Sequence, residues 1–398
     1  MYDDYSRKLI GKQIEVTFTQ VEDIAIFPWE IGYFVNRLNT FYYKDEVLNS
    51  ISAAINSGVS PENIFMLDRS LPFNQIWANL DILDLSTTGL AQLYKIGNIA
   101  SLVPNIRLQR LSIMLSLYRS INVFLRANHV RPYFLAGMNE IWAMVKEGSV
   151  ANGVDALKNR VEGTFRKRRM EKSDSIEELF GNYNRQFIQL DTEIAEITRR
   201  LSGLEAGIDL SIVSRKLTKR LYNKYYGYFV SQFDKMARPL IGVFYPEENK
   251  VRILGRALVN KRAVNYTTFQ LLEARRRSPM VEVFIAGATM ITTVLQEERN
   301  QEKHEKEMEI LDAQLRKATA EAKTAEIEQL SKKIRLYQQL NEIAQESDVL
   351  AINALPPSLA KEQLSRAYSH VSYARQMLLE DSGMKLLDDS VRIIDTTA

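Results

Sequence analysis

Sixty consecutive residues without proline or glycine, Ala288 to Ser347, constrain this chain more than any other feature of its sequence. Ala, Glu, Lys, Gln and Leu dominate the stretch, and all of them are strong helix formers. At 1.5 Å per residue it predicts a rod on the order of 90 Å. Residues 296–307 contain no apolar side chain, so those turns belong in solvent or a polar groove. From Met308 the positions Leu311, Leu315, Ala318, Ala322 and Ala325 step by three and four, and after a phase shift near Ile327 the seam continues through Leu330, Ile334 and Tyr337. This heptad pattern predicts a coiled-coil contact with a partner, a second copy, or a return helix over Leu359 to Leu379 after Pro356-Pro357.

Upstream the periodicity alternates between two and 3.6 residues. Gln13 to Thr19 places Ile14, Val16 and Phe18 on one face, as a half-buried strand does. Trp29 to Asn56 reads as a helix with any break near Lys44 and Asp45, and Asn63 to Leu67 as a second strand. Leu90 to Lys146 turns helical, with Leu108, Leu111, Leu115, Tyr118, Ile121 and Leu125 as one apolar stripe. Lys146 to Ser175 carries Gly148, Gly153, Gly163 and the basic run Arg166 to Arg169, the composition of a hinge or loop. Ile176 to Leu204 shows a seam through Leu179, Tyr183, Phe187, Leu190, Ile194, Ile197 and Leu201 that calls for another helix against it. Ile212 to Met236 reads as one helix. A hairpin over 240–254, a short helix over Thr267 to Arg277 and a strand from Val281 follow.

The expected fold class is α+β and predominantly helical: two small mixed modules separated by helices, then the long coiled-coil-like helix with its return helix. The expected order is a small α+β domain over 1–95, a helical segment over 96–145, a hinge with a basic loop over 146–175, a helical segment compatible with a coiled coil over 176–238, a ββαβ module over 239–287, the long charged helix over 288–347 and a C-terminal helical segment over 348–398.

Charge is distributed unevenly. The whole chain carries 52 Lys and Arg against 49 Asp and Glu, a formal net charge of +3. Residues 211–280 alone hold fifteen basic residues against four acids, whereas 281–350 holds nine against fourteen. The basic window marks Arg215, Lys216, Lys219, Arg220, Lys224, Arg252, Arg256, Lys261, Arg262, Arg275, Arg276 and Arg277 as anion-binding candidates. Tyr222, Tyr226 and Tyr266 are its candidates for stacking on unpaired bases. Two other readings stand beside this one. The cations pair with acids of this chain or of a second copy, with Tyr222, Tyr225 or Tyr226, Phe229 and Phe233 as a core face, or they meet an acidic membrane surface.

Catalytic signatures are sparse. With no cysteine there are no disulfides, thiolate metal sites or cysteine nucleophile, and His129, His304 and His370 lie far apart. The phosphate-loop and dinucleotide glycine patterns are absent, as are the H-E-x-x-H and G-x-S-x-G motifs. Ser382 and Lys385 match S-x-x-K without companion motifs. Asp81 and Asp84 beside Trp77, and Asp388-Asp389, are acidic pairs with solvated surface as their ordinary role. Asn265-Tyr266-Thr267 fits the glycosylation pattern, which a chain without cysteine or leader rarely uses. The N-terminus lacks a cationic start followed by an apolar run, which predicts a cytoplasmic protein. No stretch has the apolar length of a spanning helix.

These features predict a non-enzymatic, oligomeric scaffold or interaction protein without metal or cofactor. Met308, Leu311, Leu315, Ala318, Ala322, Leu330 and Ile334 would mediate oligomerisation or partner binding, and the basic aromatic window would take nucleic acid, a nucleotide or another anion. One alternative is a metal-dependent phosphoryl-transfer enzyme whose carboxylates converge only in the fold. Another is a membrane-active effector that exposes residues 280–295.

Overall fold

The structure is a computed structural model that describes residues 12–20, 27–67, 82–130, 137–167, 173–202, 209–254, 270–275, 281–287, 358–386 and 392–395. In chain order the elements are β1 (Lys12–Gln20), α1 (Pro28–Asn56), a 3-10 turn (Pro61–Asn63), β2 (Ile64–Leu67), β3 (Ile82–Asp84), α2 (Gly89–Ile96), β4 (Ile99–Ser101), α3 (Ile106–Ala127), α4 (Met138–Lys146), α5 (Val150–Lys167) and α6 (Ser173–Leu201). Then come α7 (Leu210–Lys216), α8 (Lys219–Tyr222), a π-helical turn (Asn223–Gly227), α9 (Tyr228–Lys235), β5 (Leu240–Tyr245), β6 (Lys250–Leu254), β7 (Gln270–Arg275), β8 (Val281–Gly287), α10 (Leu359–Ser382), β9 (Met384–Leu386) and β10 (Arg392–Asp395). The described part is α+β, mostly helical with small antiparallel sheets.

Two compact units divide the chain: the first is Met1–Asn56, Ala257–Ala354 and Tyr368–Ala398, the second Ser57–Arg256 and Leu355–Ala367. In the first unit, β1 is the centre of an antiparallel sheet. One edge pairs with β8, Val16 opposite Phe284, and β8 continues to β7 across a bulge between Leu271 and Glu273. The other edge is shared end to end by β10, which takes Lys12 to Glu15, and β9, which takes Phe18 to Gln20. Val16 and Phe18 are fully buried, but Thr17, Thr19 and Gln20 are buried as well, so the strand expected to be half-buried is covered on both faces.

The second unit holds an antiparallel sheet in the order β3-β6-β5-β2-β4. β5 and β6 form a hairpin whose turn ends at Asn249, in the left-handed region at φ 52°. That residue ties the turn to α4, because Trp142 Nε1 donates to Asn249 Oδ1 at 2.9 Å. Gly242 faces Phe65 across the β2–β5 ladder, and a Cβ there would come within 2.6 Å of the ring. Asn105 caps α3 by accepting the amides of Arg107 and Leu108, and the Ser116 and Ser120 hydroxyls hydrogen-bond the Tyr183 hydroxyl of α6 at 3.2 and 2.7 Å.

Several expectations are corrected. The ββαβ module over 239–287 does not form: β5 and β6 join β2 in the second unit, while β7 and β8 join β1 in the first. The same division separates β1 from β2 and β3, so 1–95 is not one domain. Strand pairing here is non-local, and local order carries no register information about it. Thr267 to Arg277 contains strand β7 in place of a helix. The hinge segment contains helix α5, whose Val154, Leu157, Val161 and Phe165 recur at three and four and are buried. Gly148, at φ 94°, ends α4, and Gly153 permits close approach, since a Cβ there would lie 3.1 Å from Val145. Ile212 to Met236 is not one helix either. Leu217 is extended and buried, and the Thr218 hydroxyl accepts the Leu221 amide to start α8 afresh. The long helix over 288–347, with Met308, Leu311, Leu315, Ala318, Ala322, Leu330 and Ile334, lies outside the described residues.

Candidate functional site

The heptad-like seam of α6 is where the site is built. Leu190 and Ile197 join Leu210, Val213, Leu217, Leu221, Tyr225 and Tyr226 in one buried cluster. Glu193 follows Leu190 by three and precedes Ile197 by four, so helical geometry turns its carboxylate toward the same buried side. It is 4% exposed. A buried carboxylate is costly unless it is paired and hydrogen-bonded. Two hydrogen bonds and one ion pair answer that need: Lys224 Nζ donates to Oε2 at 2.6 Å and the Tyr225 hydroxyl donates to Oε2 at 2.8 Å, while Arg220 Nη2 is ion-paired with Oε1 at 2.7 Å without hydrogen-bond geometry.

The π turn lets them converge. In a regular α-helix residues five apart are offset by about 140°. The wider i→i+5 turn over Asn223–Gly227 brings Tyr225 round toward the side already held by Arg220 and Lys224. Burial opposes the charge on Glu193. The hydrogen bonds from Lys224 and Tyr225 and the charges of Lys224 and Arg220 outweigh it, so the carboxyl titrates below the ordinary glutamate value. The Tyr225 hydroxyl is pushed up by burial first and by its bond to Glu193 second.

Around this node the surface is cationic. Arg215, Lys216, Lys219, Arg220 and Lys224 are exposed on α7, α8 and the π turn. Arg199 and Arg200 share Glu196 on α6, and Arg200 Nη1 also donates to the Lys216 carbonyl at 3.0 Å, fastening α6 to α7. Asp209 caps α7, its carboxyl held below the ordinary aspartate value by the Ser211 hydroxyl and amide. These seven cations thus stand against the three bound acids Glu193, Glu196 and Asp209, a surplus of four positive charges. Lys216 and Lys219 carry no side-chain ion pair among the described residues.

The fold splits the remaining candidates. Arg252 is half-buried on β6, opposite Ile82 and Val243 in the sheet. Arg275 lies on β7 in the other unit. Arg256, Lys261, Arg262, Arg276, Arg277 and Tyr266 lie outside the described residues. The stacking reading is corrected for Tyr226, which is 3% exposed and therefore offers no ring to a base. Its hydroxyl is pushed up to about 12 by burial and the Glu62 charge. Tyr222 is half-buried, its ring stacks on Tyr226 at 6.1 Å, and its hydroxyl accepts from Arg366 Nη1 at 3.1 Å. The aromatic members of the window are thus largely core, and among the described residues Arg220, Lys224 and Lys250 are ion-paired within the chain.

Other motifs resolve into local structure. The Asp84 carboxylate accepts the Ser86 amide and hydroxyl in a turn, with its pKa lowered by those bonds; Asp81, Trp77, Asp388 and Asp389 lie outside the described residues. Ser382 Oγ donates to the Leu378 carbonyl at 2.6 Å. His129 follows α3 in the left-handed region at φ 56°, His370 is exposed, and His304 lies outside the described residues. Among the described residues no three His, Asp or Glu side chains group as metal ligands would, and no helix is long and apolar enough to cross a membrane. Of the apolar segment 280–295, residues 281–287 form β8, hydrogen-bonded to β1 on one side and β7 on the other.

The sequence reading missed a second charged site. In the first unit Lys44, Asp45 and Glu46 of α1 are buried, and Asp45 forms an ion pair with Arg375 of α10 in which both side chains are 1% exposed. The Arg375 guanidinium also lies 5.2 Å from the Tyr42 ring centroid. A charged triplet inside an apolar helical stripe was the available signal; its partner 330 positions away was not. Glu193 had a comparable signal, a carboxylate at a seam position between Leu190 and Ile197. No protein-family model, curated protein or solved structure matches this chain.

Proposed function

We propose that this chain is a non-enzymatic binding protein that grips an extended polyanion, such as a nucleic-acid phosphate backbone, with the cationic face of α6, α7 and α8. The observation that carries the reading is the exposed pair Lys216 and Lys219, without ion pairs among the described residues, beside the exposed Arg215. Such a surface binds by releasing counterions from the polyanion. Burial of Tyr226 and the stacking of Tyr222 upon it favour contacts to backbone charge over contacts to bases.

Electrophoretic mobility shift with a single-stranded oligonucleotide, competed by duplex and by heparin at equal charge, tests this. All three polyanions should compete, and K216Q/K219Q should weaken every one. Strict preference for one base sequence would contradict the reading. Assembly through Met308 to Ile334 is part of the same proposal and rests on the heptad spacing of 308–334. A monomeric mass by light scattering at micromolar concentration would remove that part.

A further inference from the structure

We propose that Glu193 is an internal counter-ion that withholds Arg220 and Lys224 from the cationic face, so that the face presents fewer positive charges than its sequence contains. This rests on the polyanion reading above and concerns the regulation of that same surface. The geometry is asymmetric. The Glu193 side chain is 5% exposed, whereas those of Arg220 and Lys224 are 62% and 43% exposed. The acid is thus fixed by the core, anchored further by the Tyr225 hydroxyl at 2.8 Å, while the two cations reach back to it from the surface. Lys224 also lies against the Tyr225 ring, 5.2 Å from its centroid, which holds its head over the buried acid.

An arriving phosphate must therefore compete with a carboxylate already within hydrogen-bonding distance. Lys216 and Lys219, on the same set of helices, have no such competitor among the described residues. The cations fall into two classes: those available at once, and those released only when Glu193 loses its charge or its hold. Neutralisation leaves the Tyr225 hydrogen bond possible, because a Gln carbonyl oxygen can accept it. Glu193→Gln therefore alters the charge of the node without opening a cavity.

The experiment compares wild type, E193Q, K224Q and K219Q by fluorescence anisotropy with a labelled oligothymidylate across a salt series. In E193Q the slope of log affinity against log salt steepens by about 1.4, two added phosphate contacts at about 0.7 each for single strands, and low-salt affinity rises on the order of tenfold. K219Q weakens binding, whereas K224Q, having lost a cation already engaged, leaves it near wild type. An E193Q slope equal to wild type, or a K224Q loss as large as that of K219Q, would overturn the inference and leave the functional reading standing. If wild type shows no salt-dependent binding, the functional reading fails, and inorganic phosphate then decides the inference. Thermal stabilisation of E193Q by phosphate beyond that of wild type supports it, and equal stabilisation overturns it.

Discussion

Lys224 Nζ lies 2.6 Å from Glu193 Oε2, joining a cation that is 43% exposed to a carboxylate that is 5% exposed. The strength of such a pair is set by its buried end. If the lysine is lost, the carboxylate stays buried with less compensation; if the carboxylate is neutralised, the two exposed cations stay solvated and what is lost is the charge-assisted bonding to the buried oxygen.

The stability of the second unit should therefore depend on Glu193 through pH. The folded-state carboxyl titrates below the ordinary 4.5, so its stabilisation is complete above that value and is lost as pH falls through the folded pKa. At neutral pH E193Q should unfold about 1–2 kcal/mol more easily than wild type, the cost of charge-assisted hydrogen bonds. Urea titrations at descending pH should show that gap closing below about pH 4.5. A gap that widens on acidification would contradict the assignment.

Much of this site was legible in the sequence, and its limits are physical. Helix periodicity located α6, and of its seam residues Tyr183, Phe187, Leu190 and Ile197 are buried while Leu179, Ile194 and Leu201 are half-buried. Spacing also gave Tyr222, Tyr225 or Tyr226, Phe229 and Phe233 as a core face; Tyr225, Tyr226, Phe229 and Phe233 are buried and Tyr222 is half-buried. What periodicity could not show was pairing between distant segments: Glu193 with Arg220, β1 with β8, Asp45 with Arg375. The break at Leu217 was hidden for a different reason. It involves no proline or glycine, only a buried leucine and a threonine cap, a weaker signal than the helical propensity around them.

Gly163 and Gly242 should respond oppositely to alanine. At Gly242 a Cβ would meet the Phe65 ring at 2.6 Å, and overpacking of this kind costs about 1–3 kcal/mol. At Gly163, within α5, nothing lies within 4 Å of the added atom, and replacing glycine inside a helix gains about 0.5–1 kcal/mol. Thermal unfolding of G242A and G163A checks both. Destabilisation by G163A would argue for a flexible loop over 150–167 in place of the helix.

Arg375→Met should be among the most damaging single changes in the first unit. It leaves the Asp45 carboxylate buried without its guanidinium, which costs about 3–5 kcal/mol. The double variant D45L/R375M removes both charges and should recover most of that loss. Chemical denaturation of the three proteins distinguishes this coupling from simple loss of side-chain volume, for which the double variant would be worse than either single one.

Charge on α7 and α8 should govern ligand binding independently of Tyr222. Y222F removes the hydroxyl that Arg366 donates to and leaves the ring on Tyr226, so oligonucleotide affinity should stay within about twofold of wild type. A large loss in Y222F would point to contacts with bases or sugars.

The most direct test of the polyanion reading is the salt dependence of oligonucleotide affinity for wild type and for R215E/K216E/K219E. Wild-type affinity should fall linearly on a log–log plot by about 0.7 per phosphate contact, and the reversal should weaken low-salt binding more than about tenfold and flatten the slope. Binding indifferent to salt, or unchanged by the triple reversal, would contradict the account.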